Sequence, residues 1–344
     1  MGKQSEKGIL VQQYCKSFPD LPDLTLARKI CEENKDLFPE GVEKVRSNYV
    51  RPYRGHQGNA KKGRYETEKP VTYDTRNYKE QLKTPAKILI LDIETAPIMA
   101  YVWGVWQQNI QPSQIEQDWF CLTWAAKWLF EDKVYSGKLT AKEAKVGNDR
   151  RIIKGIWELI NEADIVIAHN GQKFDMPKLN SRFVLAGLEP PLPYIIIDTL
   201  LHIRKQFGFS HNKLDYVNQL LGLPRKQENE GMPLWIKCLH GDGAALKEME
   251  EYNIQDVRIL EGTYLAIRPW IKPHPNLGLH ILDEKAHRCP TCGSDDLKEE
   301  GKHYHTTVNT YEMFRCNNCK ATGRKRVAKP TVTQRRHILS SIPK

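Results

Sequence analysis

The feature that most constrains this chain is an apolar run that ends in two acidic residues, Lys87-Ile-Leu-Ile-Leu-Asp-Ile-Glu-Thr95. Four consecutive apolar residues at 88–91 are typical of a strand buried on both faces of a sheet. Asp92 and Glu94 are two positions apart, so their side chains leave an extended backbone on the same side. Two such carboxylates repel each other unless a cation lies between them. The alternative is that one acid faces water and the other caps a turn.

The length and charge favour a multidomain protein that binds a polyanion. The 344 residues suggest about two domains with a small appendage. The net charge is +10, with the excess mainly toward the two ends, which favours nucleic acid as the partner. No apolar run approaches the roughly 20 residues that cross a bilayer, and no signal-peptide pattern opens the chain. We therefore expect no membrane partner and a cytoplasmic location.

The first 86 residues fall into two regions. Residues 7–50 carry three apolar stripes with breaks at 19–23 and 39–41, which predict three short helices. Residues 1–56 are therefore expected to form a helical domain similar to a helix-turn-helix unit, and a plain accessory domain is the alternative. Residues 57–86 mix basic residues and tyrosines with Gly, Asn and Pro. This composition predicts a flexible basic linker, either merely solvated or able to stack its rings on bases.

Residues 87–272 show the alternation of a mixed α/β domain. After the first strand, segments rich in aromatic and β-branched residues predict the antiparallel part of one sheet, near 101–106, 120–128 and 134–138. Further strands are expected at 165–168 and 194–197, and helices at 143–161, 177–186, 213–221 and 244–268. The pattern implies a mixed sheet with helices on its faces.

Two later elements of this domain carry further polar groups. The strand at 165–168 runs into His169-Asn-Gly-Gln-Lys-Phe-Asp175 and then a helix. An acid at such a junction can be no more than an N-cap. On the helix at 244–268, Tyr252 and Asp256 are four residues apart and share one face. Taken alone, such a pair can equally be an accident of the surface.

In order, Asp-x-Glu, Asn-x-x-x-Phe-Asp and Tyr-x-x-x-Asp resemble the three-motif signature of the DEDD superfamily of 3′–5′ exonucleases, in its tyrosine subclass. Residues 169–175, with Lys213-Leu-Asp-Tyr-Val217 and Leu220-Leu-Gly222, are most similar to the proofreading domain of family B DNA polymerases. The resemblance covers about residues 87–268. It implies a ribonuclease H-like fold, which follows the small helical domain in the chain.

The resemblance also implies a role for each motif residue. Asp92, Glu94 and Asp256 would hold one Mg²⁺ or Mn²⁺, and Asp92 would bridge to a second ion held by Asp175. Two such ions clamp the attacking and leaving oxygens of an in-line displacement. Tyr252 would position the attacking water. The expected catalytic residues are therefore Asp92, Glu94, Asp175, Tyr252 and Asp256, and the expected substrate-binding residues are Thr95, Asn170, Phe174 and Lys213, with Trp103 a further candidate.

Four of the eight cysteines form a second constellation. Cys289-Pro-Thr-Cys292 and Cys316-Asn-Asn-Cys319 flank a segment of β character and resemble a zinc ribbon, in which four thiolates hold one structural Zn²⁺. A redox pair is the alternative. The expected zinc-ribbon domain is 283–328, and a flexible tail is expected at 329–344. Basic residues around the cysteines favour a contact with nucleic acid that is salt-dependent and largely blind to sequence.

The expected function is that of a freestanding metal-dependent 3′–5′ exonuclease on DNA, because too few residues follow residue 268 for the palm domain of a polymerase. Phage origin, action in the host cytoplasm in replication or repair, and a separate polymerase or replication protein as partner are further expectations. Three alternatives remain: an RNA 3′–5′ exonuclease, a non-catalytic nucleic-acid-binding protein on a nuclease-like fold, and a structure-selective endonuclease, against which the Tyr-x-x-x-Asp helix argues.

Overall fold

The structure, a computed structural model, describes residues 6–19, 21–53, 86–226, 229–281 and 286–340. The chain divides into two units at residue 70. Residues 57–85 of the predicted linker and residues 341–344 of the predicted tail lie outside the described residues. Among the helices that are described, none combines the length and the apolar character needed to span a bilayer.

The described part of the first unit is a small cluster of helices around its own apolar core. Its helices are α1 (Glu6–Ser17), α2 (Asp23–Glu33) and α3 (Val42–Val45), which continues through a π-helical turn at Arg46–Val50 into α4 (Arg51–Tyr53). The buried side chains come from α1, α2, α3, the π-helical turn and the connection between α2 and α3: Val11, Leu26, Ala27, Ile30, Phe38, Val45 and Val50. Helices thus form within residues 7–50, the segment in which three short helices were predicted.

A five-stranded mixed sheet forms the centre of the second unit. Its order is β5-β4-β1-β6-β7, with β1 (Ile88–Thr95), β4 (Cys121–Trp128), β5 (Val134–Lys138), β6 (Ile165–Ala168) and β7 (Ile195–Asp198). The central strand β1 runs antiparallel to β4 and parallel to β6. Leu89, Ile90 and Leu91 are fully buried, which confirms the reading of the apolar run as a core strand.

Helices cover both faces of this sheet. They are α5 (Ala141–Val146), α6 (Arg150–Glu162), α7 (Asp175–Ala186), α8 (Thr199–Gln206), α9 (Leu214–Leu220), α10 (Met232–Leu239) and α11 (Gly243–Ile267). One apolar cluster contains α6, α7 and α10, and the other contains α8 and α9. The long helix α11 contributes to both clusters, through Met249 to the first and Val257 to the second. The mixed α/β architecture predicted from the alternation is confirmed.

Several predicted elements differ from the observed ones. Residues 101–106 form no strand of the central sheet, since β2 covers only Met99–Ala100 and pairs with β3 (Ile115–Gln117) in a separate ribbon. The aromatic residues that favoured a strand there face solvent, and β-propensity does not distinguish rings that pack from rings that do not. The helix predicted at 143–161 is two helices, because Gly147 adopts a φ of 64° and ends α5.

Helices α8 and α10 were not predicted. Helix α8 starts directly after β7, where the side chain of Asp198 accepts a hydrogen bond from the backbone N–H of Leu201. Helix α10 follows Gly231 and begins with a proline at its second position. Both helices have eight residues, so helical periodicity extends over only about two turns. Such a short pattern does not distinguish a helix in the sequence.

A three-stranded antiparallel sheet closes the second unit. It consists of β8 (Leu297–His305), β9 (Thr310–Cys316) and β10 (Thr322–Arg324), with β9 in the middle. The backbone N–H of Leu277, which follows α11 in the chain, donates to the carbonyl of Pro290 at 2.7 Å and ties this sheet to the central domain. Residues 332–336 of the predicted tail form helix α12, which Thr331 and Gln334 cap reciprocally.

Gly137→Ala tests the close packing of β5 against β4. A Cβ at this position would lie 2.5 Å from Nε1 of Trp124, whose indole is nearly buried and donates to the carbonyl of Ile152 at 2.6 Å. We expect a loss of about 1–3 kcal/mol in the free energy of unfolding, measured by urea denaturation. Gly243→Ala, at the start of α11 with open space around it, is the control and should cost nothing. Equal stability of the two variants would contradict this packing.

Candidate functional site

The acidic residues of the first and third motifs meet at the end of the central strand. Strand β1 presents Asp92 and Glu94, and α11, which packs on β1, presents Asp256. One carboxylate oxygen from each of the three lies within 4.8 Å of the others. Asp256 is buried, whereas Asp92 and Glu94 keep part of their surface open to solvent. Residues far apart in sequence therefore form one pocket that an ion can enter.

Asp175 lies next to this group. It is the first residue of α7, is almost fully buried, and accepts a hydrogen bond from the backbone N–H of Ile93 at 3.2 Å. Ile93 lies between the two acids of β1, so Asp175 is tied directly to their strand. The N-cap position of α7 belongs to Phe174, so the structure does not support the alternative in which Asp175 is an N-cap.

Burial makes the full charge of this cluster costly. It raises the pKa of Glu94 to about 8 and that of Asp175 to about 7, and it raises the pKa values of Asp92 and Asp256 as well. For Asp92, repulsion from Asp175, Asp256 and Glu94 adds to the effect. Oδ1 of Asp256 is buried without a hydrogen-bond partner among the described residues. Such a cluster fits a divalent cation, which carboxylate oxygens bind well.

Lys226 is a member of the site that sequence reasoning missed. Its Nζ forms an ion pair with Oδ2 of Asp256 and lies 3.2 Å from the hydroxyl of Tyr252. Burial opposes its charge, but Asp256 and Asp92 outweigh burial and raise the pKa of the ammonium. Lys226 lies in an irregular segment between α9 and α10, where no period or motif marks it. It therefore supplies positive charge to the acids from outside the three motifs.

Asn253 and Asp198 were also missed, and both orient motif residues. The side-chain amide of Asn253, fully buried on α11, donates to Oδ2 of Asp92 at 2.6 Å. Its spacing of three residues from Asp256 was the available signal. Asp198 accepts hydrogen bonds from the backbone N–H groups of Asn170 and Gln172, both at 3.1 Å. This holds Asn170 at a φ of 76°, a left-handed conformation that asparagine tolerates better than most residues.

Three of the four predicted substrate-binding residues line two clefts near the acids. The first, which we name the polar cleft, has a volume of about 630 Å³, and Asn170 and Lys213 line it together with Asp92, Tyr252 and Lys226. The second, named the apolar cleft, has a volume of about 400 Å³ and contains Thr95. Its other lining residues are Ala96, Pro97, Ile98, Trp119, Lys178, Met232 and Trp235.

Phe174 and Trp103 line neither cleft. The Phe174 ring is partly exposed, with its centroid 5.1 Å from Nζ of Lys178. Lys178 in turn lies 3.7 Å from the ring centroid of Trp119 in the apolar cleft. Trp103 is 98% exposed at the tip of the β2–β3 ribbon. Phe174 therefore adjoins the apolar cleft through Lys178, whereas the ring of Trp103 contacts solvent.

The four predicted zinc ligands form a second candidate site. Cys289, Cys292, Cys316 and Cys319 are buried, with all sulfurs within 4.8 Å of one another. The sulfurs of Cys289 and Cys319 are 3.7 Å apart, and those of Cys292 and Cys316 are 3.6 Å apart. These distances are close to the edge of about 3.8 Å expected for tetrahedral zinc with bonds of about 2.3 Å, and too long for disulfides. The arrangement therefore fits a zinc ion.

Glu94→Gln tests whether the buried carboxylate lowers the stability of the protein when no metal is bound. In EDTA, the folded protein holds a proton on Glu94 up to a pKa of about 8, whereas the unfolded chain releases it near pH 4.3. Between these values the folded state binds more protons, so raising the pH lowers wild-type stability. The variant lacks this titration. We expect it to be more stable than the wild type at pH 8, with the difference shrinking toward pH 4.

Urea denaturation in EDTA across this pH range measures the effect. Glu248→Gln, which alters an exposed carboxylate on α11, is the matched control and should follow the wild type. Mn²⁺ should stabilise the wild type more than Glu94→Gln, since only the wild type keeps all the acids. A wild type that is more stable than Glu94→Gln at pH 8 in EDTA would refute the electrostatic account of the cluster.

Zinc content tests the cysteine cluster. Purified protein should contain about one zinc per chain by elemental mass spectrometry, because four thiolates complete a structural site. Cys292→Ser and Cys316→Ser should lose the metal, and Cys31→Ser, in the helical unit, should retain it. Zinc-free protein with disulfides between these cysteines would support the redox alternative instead.

Comparison with known proteins gives a family match for part of the chain. Residues 128–266 match the family described as RNase_H superfamily. No curated protein matches the chain. Among solved structures, the family B DNA polymerase from the hyperthermophilic archaeon Pyrobaculum calidifontis is similar with a TM-score of 0.40 and 19% identity, over 54% of this chain and 25% of the polymerase. The family match lies within the second unit, whose mixed sheet with flanking helices is a ribonuclease H-like fold.

Proposed function

We propose that this chain is a metal-dependent 3′–5′ exonuclease that hydrolyses the phosphodiester bonds of DNA. The observation that carries the proposal is the convergence of Asp92, Glu94 and Asp256 in one pocket of a ribonuclease H-like fold, with Asp175 beside them. The direction of digestion rests on the third motif, since Tyr252 lies one turn from Asp256 on α11.

The four acids are the proposed ligands of two Mg²⁺ or Mn²⁺ ions. Bound there, the ions would stabilise the attacking and leaving oxygens of the phosphodiester. Oδ1 of Asp256 has no hydrogen-bond partner within the described parts of the chain, and the pKa values of the four carboxyl groups are raised. Both observations support a cationic ligand. Asn253 fixes the orientation of Asp92 through their hydrogen bond, and the backbone of Ile93 does the same for Asp175.

Tyr252 is the proposed group that positions the attacking water. Burial and the neighbouring Asp256 raise the pKa of its hydroxyl to about 12, so it remains protonated near neutral pH and can donate a hydrogen bond. The hydroxyl is 3.2 Å from Nζ of Lys226. The ammonium lies where it can offset negative charge that develops on the phosphate. Tyr252 and Lys226 therefore act on the same side of the acidic pocket.

The two clefts suggest how a strand is held. The polar cleft has the cationic side chains of Arg204, Lys213 and Lys226, which suit the sugar–phosphate backbone. The apolar cleft contains Trp119 and Trp235, whose rings suit a base. Both clefts include a residue of the first motif, Asp92 in one case and Thr95 in the other. A nucleotide at the acids would thus place its backbone in one cleft and its base in the other.

The zinc ribbon is proposed to hold nucleic acid outside the active site. Arg324, on β10, stacks on the ring of Tyr311 at 3.8 Å, and Lys320 is exposed beside the zinc ligand Cys319. An Arg stacked on an aromatic ring near an exposed lysine can bind single strands by charge and stacking. The predicted domain boundaries, the role of the N-terminal helices, phage origin, a cytoplasmic location and a separate polymerase partner remain predictions.

Asp92→Ala tests the proposed chemistry directly. Loss of the carboxylate that faces both proposed metal positions should lower the rate of shortening by about 10²–10³-fold or more, whereas Glu248→Ala should leave it unchanged. Tyr252→Phe should slow the reaction less, because it removes one hydrogen bond and no ligand. The measurement is a time course on 5′-labelled single- and double-stranded DNA and RNA, with Mg²⁺ or EDTA.

The same time course separates the alternatives. A 3′–5′ exonuclease produces a ladder that shortens from the 3′ end and stops at a 3′-terminal phosphorothioate. If RNA is digested faster than DNA, RNA is the substrate. Internal cuts would indicate an endonuclease. Full activity of Asp92→Ala, or binding without turnover in Mn²⁺, would remove the proposed function.

A further inference from the structure

The β2–β3 ribbon ends in an exposed aromatic loop, defined here as residues 98–110. Trp103 is 98% exposed, Trp106 78% and Tyr101 68%. The other large apolar side chains exposed in this loop are Ile98, Val102, Val105 and Ile110. Single exposed apolar residues are ordinary, but a continuous group of this kind marks a binding surface.

The aromatic loop is held firmly at its base. The backbone N–H of Tyr101 donates to the carbonyl of Gln114 at 2.9 Å, and the Gln114 side chain donates back to the carbonyl of Tyr101 at 2.8 Å. The Tyr101 hydroxyl is hydrogen-bonded to Glu116, which raises its pKa. Nearer the tip, the Gln108 side chain donates to the carbonyl of Trp106 at 2.7 Å. The two tryptophans are therefore presented by an ordered ribbon, away from the described core.

The loop is continuous with the candidate active site. Its first residue, Ile98, lines the apolar cleft together with Thr95 and Trp119. Thr95 ends β1, the strand that carries Asp92 and Glu94. A ligand that fills the apolar cleft would thus contact the first residue of the aromatic loop. This continuity favours the substrate strand over a separate protein as the ligand of the loop.

The composition of the loop points to bases rather than phosphates. From Ala96 to Ile115 the sequence contains no acidic and no basic residue. The segment itself has no carboxylate that would repel a polyanion, since Glu116 lies beyond its end, against Tyr101 at the base of the loop. It also has no ammonium or guanidinium that would bind phosphates. The polar side chains at the tip are neutral amides, Gln107, Gln108 and Asn109, which can hydrogen-bond to base edges. Aromatic rings stack on bases of any sequence.

We propose that the aromatic loop stacks, through Trp103 and Trp106, on unpaired bases of the substrate strand next to its 3′ end. The inference rests on the proposed nuclease function and adds a surface for bases outside the acidic pocket. The bases bound there are free of a complement, since paired and stacked bases offer no face to the rings. The loop and the apolar cleft together form one surface for bases, beside the polar cleft for the backbone.

A binding cycle tests this proposal. In the full-length protein with Glu94→Gln to prevent hydrolysis, the Kd of a 5′-fluorescein oligothymidylate is measured by anisotropy with Mn²⁺ present. The second ligand is the same strand with abasic sites near the 3′ end. Trp103→Ala and Trp106→Ala should each bind the normal strand about tenfold more weakly, as loss of base stacking predicts. Abasic sites should weaken binding by the parent protein to a similar extent. They should weaken binding by the tryptophan variants only slightly.

Val146→Ala is the control, because it removes an exposed apolar side chain that lies on α5, outside the loop. It should bind like the parent. Unchanged binding by the tryptophan variants, or an equal loss on normal and abasic strands, overturns the proposal. Unchanged binding with loss of a self-association seen in the parent would make the loop a protein-binding surface instead.

A small substrate separates this inference from the proposed function. Thymidine 5′-(p-nitrophenyl phosphate) carries no neighbouring base, so Trp103→Ala and Trp106→Ala should hydrolyse it at the wild-type rate in a background with Glu94 intact. If the wild type hydrolyses neither this ester nor any strand, the nuclease function fails whatever the binding cycle shows. If the ester is cleaved and the cycle shows no base-dependent loss, only the role of the aromatic loop is wrong.

Discussion

The repulsion among buried carboxylates at the end of β1 is the constraint on which the rest of the site depends. The strand is central because its apolar residues are buried on both faces, and the same burial raises the pKa values of Asp92 and Glu94. Lys226 offsets part of this charge through Asp256. The fold therefore maintains a cluster that is unfavourable by itself, as expected where structure serves binding of cations rather than stability.

The sequence was informative wherever the signal was local. A continuous apolar run predicts β1, a long segment with helical periodicity predicts α11, and paired cysteines predict the sulfur cluster. Neighbouring residues determine each of these patterns. Lys226 and Asp198 could not be predicted in the same way. Lys226 lies in an irregular segment, and Asp198 acts on backbone groups nearly thirty residues earlier. Only the tertiary structure brings such residues to the motifs.

The aromatic segment at 101–106 shows the opposite failure, in which a strong local signal predicts the wrong environment. Aromatic and β-branched residues favour strands because they usually pack on a pleated surface, yet here they remain exposed at the tip of a short ribbon. The C-terminal sheet is different again, since its buried cluster consists of the four cysteines and Ala321, with Leu297 packed against them. Four cysteine sulfurs so close together in so small a core fit a structural metal site.

Anomalous diffraction from crystals grown with Mn²⁺ tests the central claim most directly, because it locates the ions without relying on activity. We predict two peaks about 3.5–4 Å apart within the pocket formed by Asp92, Glu94, Asp175 and Asp256, with Asp92 contacting both. The ammonium of Lys226 should then have moved away from Asp256. Full Mn²⁺ occupancy elsewhere, with the Lys226–Asp256 ion pair intact and the pocket empty of metal, would contradict the account.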